Sequence, residues 1–170
     1  YYPDGGGSYV GPVQGGTVSS NQWNHLCVCR SGNTIRLFVN GTMHGSGTSI
    51  TTGIRNGTSN FTIGGQVAGG GWWNGYITDL RVTKGQALYT SNFTPSTDPL
   101  TTTSQGATAS NVKLLCCNKN TATGSTKTPG TITAHGETHI KSFGPFTGTD
   151  GEGGLVWMKS RTTGNVNVLF

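Results

Sequence analysis

Apolar and polar positions alternate along this chain in short runs separated by Gly, Asn, Ser and Thr. In WNHLCVCRSGNTIRLFVNG, residues 23–41, one run covers 23–30, SGNT turns the chain, and a second run covers 35–39 before Asn40 and Gly41 close it. That spacing predicts a β-hairpin followed by a tight turn, since Asn-Gly accepts positive φ without strain. Alternation places Leu26 and Val28 on one face and Trp23, His25, Cys27 and Cys29 on the other. Both faces carry apolar groups, so this strand is expected inside a layered sheet. FTIGG (61–65), NGYITDLRVTKG (74–85) and NVKLLCC (111–117) read as further strands, each bounded by turn formers. ALYTSNF (87–93) has room for one helical turn at most, and no stretch repeats with a period of 3.6. The pattern predicts an all-β protein, an antiparallel β-sandwich.

The pattern also divides the chain. Residues 1–118 form the first predicted domain, with its early strands missing, and 119–150 are poor in apolar residues and read as a linker with one short strand near Ile140. GGLVWMKSRTTGNVNVLF, within 151–170, reads as two apolar strands opening a second β-rich module. The chain opens on YYPDGGG without a methionine and is expected to be a piece of a longer polypeptide. The sheet that completes its core would come from that polypeptide or from identical neighbouring subunits.

Composition narrows the function classes. A length of 170 residues suits one domain or slightly more, and 29 glycines with 32% hydrophobic residues suit many turns between thin strands. Lys and Arg number 11 for a net charge of +5, yet they are dispersed singly, which argues against a nucleic-acid partner. No apolar run is long enough for a membrane-spanning helix, so no membrane insertion is expected. The four cysteines form CVC (Cys27, Cys29) and CC (Cys116, Cys117) on predicted strands. A zinc site favours Cys-x-x-Cys in a turn, and adjacent cysteines bond each other only with strain, so these are expected to be small buried residues with free thiols. That fits assembly in a reducing compartment.

The order WNHL, IRLFVNG, FTIGG and WNGYITDLRVTKGQALYTSNFTP resembles the laminin-G-like, concanavalin A-like jelly-roll domains, in particular those of bacteriophage virion proteins, over roughly residues 10–118. The closing GGLVWMKSR is similar to the opening of another β-rich module of phage tail and appendage proteins. The resemblance implies a jelly-roll sandwich in a non-enzymatic structural protein of a phage virion, a tail fibre or appendage used for assembly or host-surface attachment. Its partners would be other virion proteins, identical subunits and a host-surface glycan. The alternative it leaves is a secreted lectin-like or adhesin module of cellular origin.

Jelly rolls also serve glycosidases, which need two carboxylates flanking one bond. The carboxylates here are Asp4, Asp79, Asp98, Asp150, Glu137 and Glu152. They form no E-x-D-x-x-E strand motif, so no catalytic residues are expected. HGETH (135–139) places its glutamate one position late for a zinc-protease helix and reads as solvated histidines in a linker. His25, beside Trp23, reads as a core histidine. Laminin-G domains often hold a calcium ion at the rim, and Asp79 matches the family's acidic position in G-x-I-x-D-L-R. Pairing with Arg81, or hydrogen bonds from loop amides, would explain Asp79 as well, and a single carboxylate makes a weak calcium candidate, so no cofactor is expected. Sequons at Asn40, Asn56, Asn60 and Asn92 are about what chance supplies in a chain this rich in Asn, Ser and Thr. Trp72, Trp73 and Tyr76 are the carbohydrate or interface candidates. On a regular strand the two tryptophans would face opposite ways, one closing the core and the other free for a sugar ring or a neighbouring subunit.

Overall fold

The computed structural model describes residues 13–44, 51, 53, 60–65, 71, 73–135, 138–140 and 144–146, and the backbone of 141 and 155–158. The chain forms two compact units, one of Tyr1–Ser59 with Gln86–Pro95 and one of Asn60–Gly85 with Ser96–Phe170.

In the first unit, β1 (Leu26–Ser31), β2 (Thr34–Val39) and β3 (Thr42–His44) make an antiparallel meander in that order. Ser31 opposes Thr34, Leu26 opposes Val39 and Phe38 opposes Met43, which fixes the register. The predicted Asn-Gly turn joins β2 to β3 with φ of 50° at Asn40 and 78° at Gly41, both positive as a type I′ turn requires. Asn40 also adds a rung to the hairpin: its N–H donates to the His25 carbonyl and its Oδ1 accepts the His25 N–H, each at 2.8 Å. The Gly41 carbonyl then accepts the Phe93 N–H at 3.0 Å. A Cβ at Gly41 would collide with the Phe93 carbonyl oxygen, so only glycine allows this approach.

That contact positions an aromatic core. Phe38 is fully buried, with the Phe93 ring edge-on at 5.3 Å and the Tyr89 ring at 6.3 Å. Tyr89 and Phe93 stack at 3.6 Å, and His25 meets Phe93 edge-on at 5.4 Å, as a core histidine would. Burying a ring of this size contributes about 2–3 kcal/mol, and edge contacts add roughly 1 kcal/mol. The alternation along β1 holds, with Cys29 buried, but Val28 is 70% exposed and Leu26 is exposed too. Among the described strands β1 lies at the sheet edge and not inside it. Alternation shows which residues share a face; it does not show which face is covered.

The second unit contains β4 (Leu80–Thr83), β5 (Val112–Cys116) and β6 (Ser125–Lys127), antiparallel in that order, and a separate antiparallel pair, β7 (Thr138–Lys141) and β8 (Leu155–Met158). β5 is the buried strand: Val112, Leu114, Leu115 and Cys116 are all buried. Ile63, Ile77, Leu80 and Ile132 pack against Leu114, Cys116 and Cys117.

Three details differ from the sequence pattern. Residues 61–65 form bends and no strand, although Ile63 reaches the core. The run 74–85 becomes a strand only at Leu80, because Asp79 takes φ 51° and breaks the extended path. β6 lies inside the stretch 119–150, where the pattern predicts only the short strand near Ile140 that is β7. The second apolar run of the C-terminal stretch falls outside the described residues. A single 3₁₀ turn, Ser104–Gly106, is the only helical element among the described residues, and the protein is all-β with antiparallel sheets.

Candidate functional site

Trp73 stands outside any strand and is 40% exposed, yet its position is tightly defined. Its N–H donates to the Gly64 carbonyl at 3.0 Å, tying residue 73 to the 60–65 segment. Its indole lies over Gly75: a Cβ there would sit 2.8 Å from Nε1 and 3.4 Å from Cε2. The close approach at Gly75 is therefore that of the indole itself. Trp72 lies outside the described residues. Tyr76 is half-buried three residues on.

The same tether brings in a residue that the pattern did not single out. Phe61, on the segment held by the Gly64–Trp73 bond, is 69% exposed. Thr62 fixes that segment's bend by donating from Oγ1 to the Gly65 carbonyl at 2.6 Å. Neither NFTIGG (60–65) nor GWWNGYIT (71–78) contains a charged residue. The surface offers exposed aromatic rings, amides and hydroxyls, which suit the apolar face of a sugar ring or an uncharged protein partner.

Asp79 follows directly and does different work. It is buried, and its Oδ1 accepts the Leu100 N–H at 2.8 Å while its Oδ2 accepts the Thr78 hydroxyl at 2.8 Å. Its own N–H donates to the Cys117 carbonyl at 3.2 Å, and Thr78 Oγ1 reaches that same carbonyl at 3.1 Å. Burial pushes the Asp79 carboxyl above its usual range, against the opposing pull of the Thr78 and Leu100 hydrogen bonds and the Arg81 charge. Arg81 directs Nη1 to the Thr101 carbonyl at 3.0 Å, the Ser104 carbonyl at 2.9 Å and Ser104 Oγ at 3.1 Å. Of the two explanations the sequence offered for Asp79, the structure displays the loop amide. Both residues fasten the 100–104 loop to the start of β4. Both carboxylate oxygens already hold donors, and among the described residues no three His, Cys, Asp or Glu side chains are grouped to hold a metal ion.

The remaining sequence candidates take structural places. Cys27, Cys29, Cys116 and Cys117 carry free thiols, Cys27 half-buried and the others buried. His135 and His139 are both exposed, and the latter sits on β7, so the pair does not share a helix face. Two of the sequon asparagines serve the backbone: Asn40 as above, and Asn92 by accepting the Met43 N–H at 2.8 Å. Among the described residues no helix is long and apolar enough to cross a membrane.

A laminin-G family model, described as the concanavalin A-like lectin/glucanases superfamily, matches residues 2–89. That span contains the β1–β2–β3 meander, β4, Trp73, Tyr76 and Asp79. No curated protein and no solved structure matches the chain. With more than half its length matched and an all-β antiparallel architecture around it, the chain belongs to the concanavalin A-like lectin/glucanases superfamily.

Proposed function

We propose that the chain is a non-enzymatic attachment and assembly module of a phage virion, in a tail fibre or similar appendage, that holds a neutral host-surface glycan on the aromatic surface around Trp73. The observation that carries this is Trp73 itself: a large ring that lies over the bare Gly75, on a backbone tied to the Gly64 carbonyl, yet exposed to solvent. A ring ordered before binding loses little entropy when it stacks on a sugar. The superfamily includes glucanases as well as lectins. The non-enzymatic reading is supported by the use of Asp79, whose oxygens are engaged by Leu100 and Thr78. The virion assignment rests on the resemblance of roughly residues 10–118, closing on ALYTSNFTP, to the jelly-roll domains of phage virion proteins. Four free thiols favour assembly in a reducing cytosol over secretion, the setting of the alternative lectin or adhesin.

The test measures binding of the full chain to bacterial surface polysaccharides, together with the release of new reducing ends. Trp73→Ala is expected to weaken binding about fivefold or more, since one stacked ring contributes roughly 1 kcal/mol, with folding unchanged. Phe61→Ala should weaken it by less. Release of reducing ends would move the chain to the glucanase side of its superfamily, and binding indifferent to both substitutions would refute the platform. Immunogold labelling of purified phage particles tests the location; label found only in a secreted soluble fraction would favour the adhesin.

A further inference from the structure

Neighbouring residues of a regular strand point to opposite faces, which keeps adjacent sulfurs apart. Cys116 and Cys117 escape that rule. β5 ends at Cys116, and Cys117 turns into the left-handed region with φ 58°, a conformation few residues other than glycine adopt. The turn brings the two Sγ atoms to 3.8 Å, within reach of an S–H···S hydrogen bond. It is held by its neighbours, because the Cys117 carbonyl accepts the Asp79 N–H at 3.2 Å and lies 3.1 Å from Thr78 Oγ1. Cys116 is 1% and Cys117 7% exposed, so two thiols face each other inside a small core.

We propose that Cys116 and Cys117 form a vicinal dithiol that closes to a disulfide under two-electron oxidation by a hydroperoxide, and that this pair is the oxidative modification site of the chain. Either sulfur can donate to the other at this distance; with Cys117 as the donor, negative charge on Cys116 is favoured, while that same hydrogen bond and burial push the Cys117 thiol up. Cys116 is therefore the attacking sulfur. It attacks one peroxide oxygen, the O–O bond breaks, and the departing alkoxide leaves as an alcohol with the Cys116 proton. Cys117 then attacks the Cys116 sulfenic sulfur, the S–O bond breaks, and hydroxide leaves as water with the Cys117 proton. Two S–H bonds give way to one S–S bond, and the peroxide is reduced to alcohol and water. The sulfurs close from 3.8 Å to about 2.05 Å. Burial makes the reaction slow, and the strain of a ring through adjacent residues makes its product easy to reduce.

The experiment treats the reduced full chain with hydrogen peroxide, alkylates the remaining thiols under denaturing conditions, and maps the peptides by mass. Two of the four thiols should be lost, the peptide holding 116 and 117 should be lighter by two hydrogens, and dithiothreitol should restore it. Cys117→Ala should stop at a sulfenic acid on Cys116 that dimedone captures. Closure between Cys27 and Cys29 instead, a fully alkylated 116–117 peptide, or no dimedone adduct in Cys117→Ala would each overturn the proposal. Where Cys117→Ala does not fold, the double variant Cys27→Ala, Cys29→Ala decides: its two thiols should both be lost to peroxide, and their survival refutes the dithiol.

Discussion

Asp79 offers the sharpest comparison, because two substitutions there are expected to part company. Asp79→Ala removes both acceptors. The Leu100 N–H then lacks its partner in a part-buried position, which costs about 1–3 kcal/mol. Alanine must also hold φ near 51°, at a cost of about 1–2 kcal/mol. A loss of roughly 2–5 kcal/mol follows, a large share of a typical domain's stability. Asp79→Asn keeps Oδ1 on Leu100, and its amide nitrogen can donate to Thr78 Oγ1, whose proton is then free for the Cys117 carbonyl. Asparagine also tolerates left-handed φ. This variant should lie within about 0.5 kcal/mol of the parent at neutral pH, or above it, because it no longer buries a charge.

The pH dependence has a definite sign. The folded carboxyl has its pKa raised above the reference value of 3.8, so the folded chain binds a proton more readily than the unfolded one. Ionised Asp79 thus weakens the fold above the raised pKa. The penalty fades as pH falls through that pKa and is gone below 3.8. Urea unfolding of parent and Asp79→Asn from pH 7 downward should show the parent gaining on the variant. If Asp79→Asn is as unstable as Asp79→Ala, the hydrogen-bond account of Asp79 fails; if the parent falls behind Asp79→Asn on acidification, the hydrogen bonds outweigh burial and the carboxyl is lowered and not raised. Millimolar calcium should leave both curves unmoved; stabilisation of the parent alone would make Asp79 a calcium ligand.

Arg81→Leu removes the guanidinium that binds the Thr101 and Ser104 carbonyls, and should cost about 1–2 kcal/mol while speeding amide hydrogen exchange selectively in the 98–106 loop; exchange that rises uniformly would contradict a local latch. Gly32→Ala and Gly41→Ala both place alanine at positive φ, but the space around Gly32 is open and that around Gly41 is filled by the Phe93 carbonyl. Thermal unfolding followed by circular dichroism should therefore show a loss of roughly 1 kcal/mol for the first and several times that for the second; equal losses would mean that the 86–95 segment does not depend on the Gly41 approach.

The β1–β2–β3 meander was legible because local chemistry and long-range pairing agree there: alternation marks the strands, and Asn-Gly supplies the turn that their twist needs. β5 was legible from its continuous apolar run. The break at Asp79 was not. Nothing in YITDLRV announces a left-handed residue, because what fixes it is the pull of Leu100 and Cys117, distant in sequence. β6 was hidden for a related reason: Ser125–Lys127 carry no apolar pattern and pair with β5 through the backbone, which any sequence can do. Of the site, the tryptophan pair drew attention by composition alone, whereas Phe61 looked like one more strand residue. Its exposure depends on 61–65 being tethered by one hydrogen bond and not by a ladder.

These observations join on the stretch 73–83. A strand continuing straight back from Leu80 would run beside the residues that follow Cys116, with every second side chain turned to the same face. The left-handed turn at Asp79 prevents that, and the carboxylate that stabilises the turn is also what holds Leu100. The segment before it leaves the sheet, secured at one end by Thr78 and Asp79 on the Cys117 carbonyl and at the other by Trp73 on the Gly64 carbonyl. A segment outside the β4–β5 ladder but pinned at both ends can present the Trp73 ring outward without becoming slack. The buried acid thus helps to hold the segment that carries Trp73. The same Cys117 carbonyl is the hinge on which the vicinal thiols turn toward each other, so one peptide group links the stability of the β4–β5 junction, the posture of Trp73 and the oxidation state of the core.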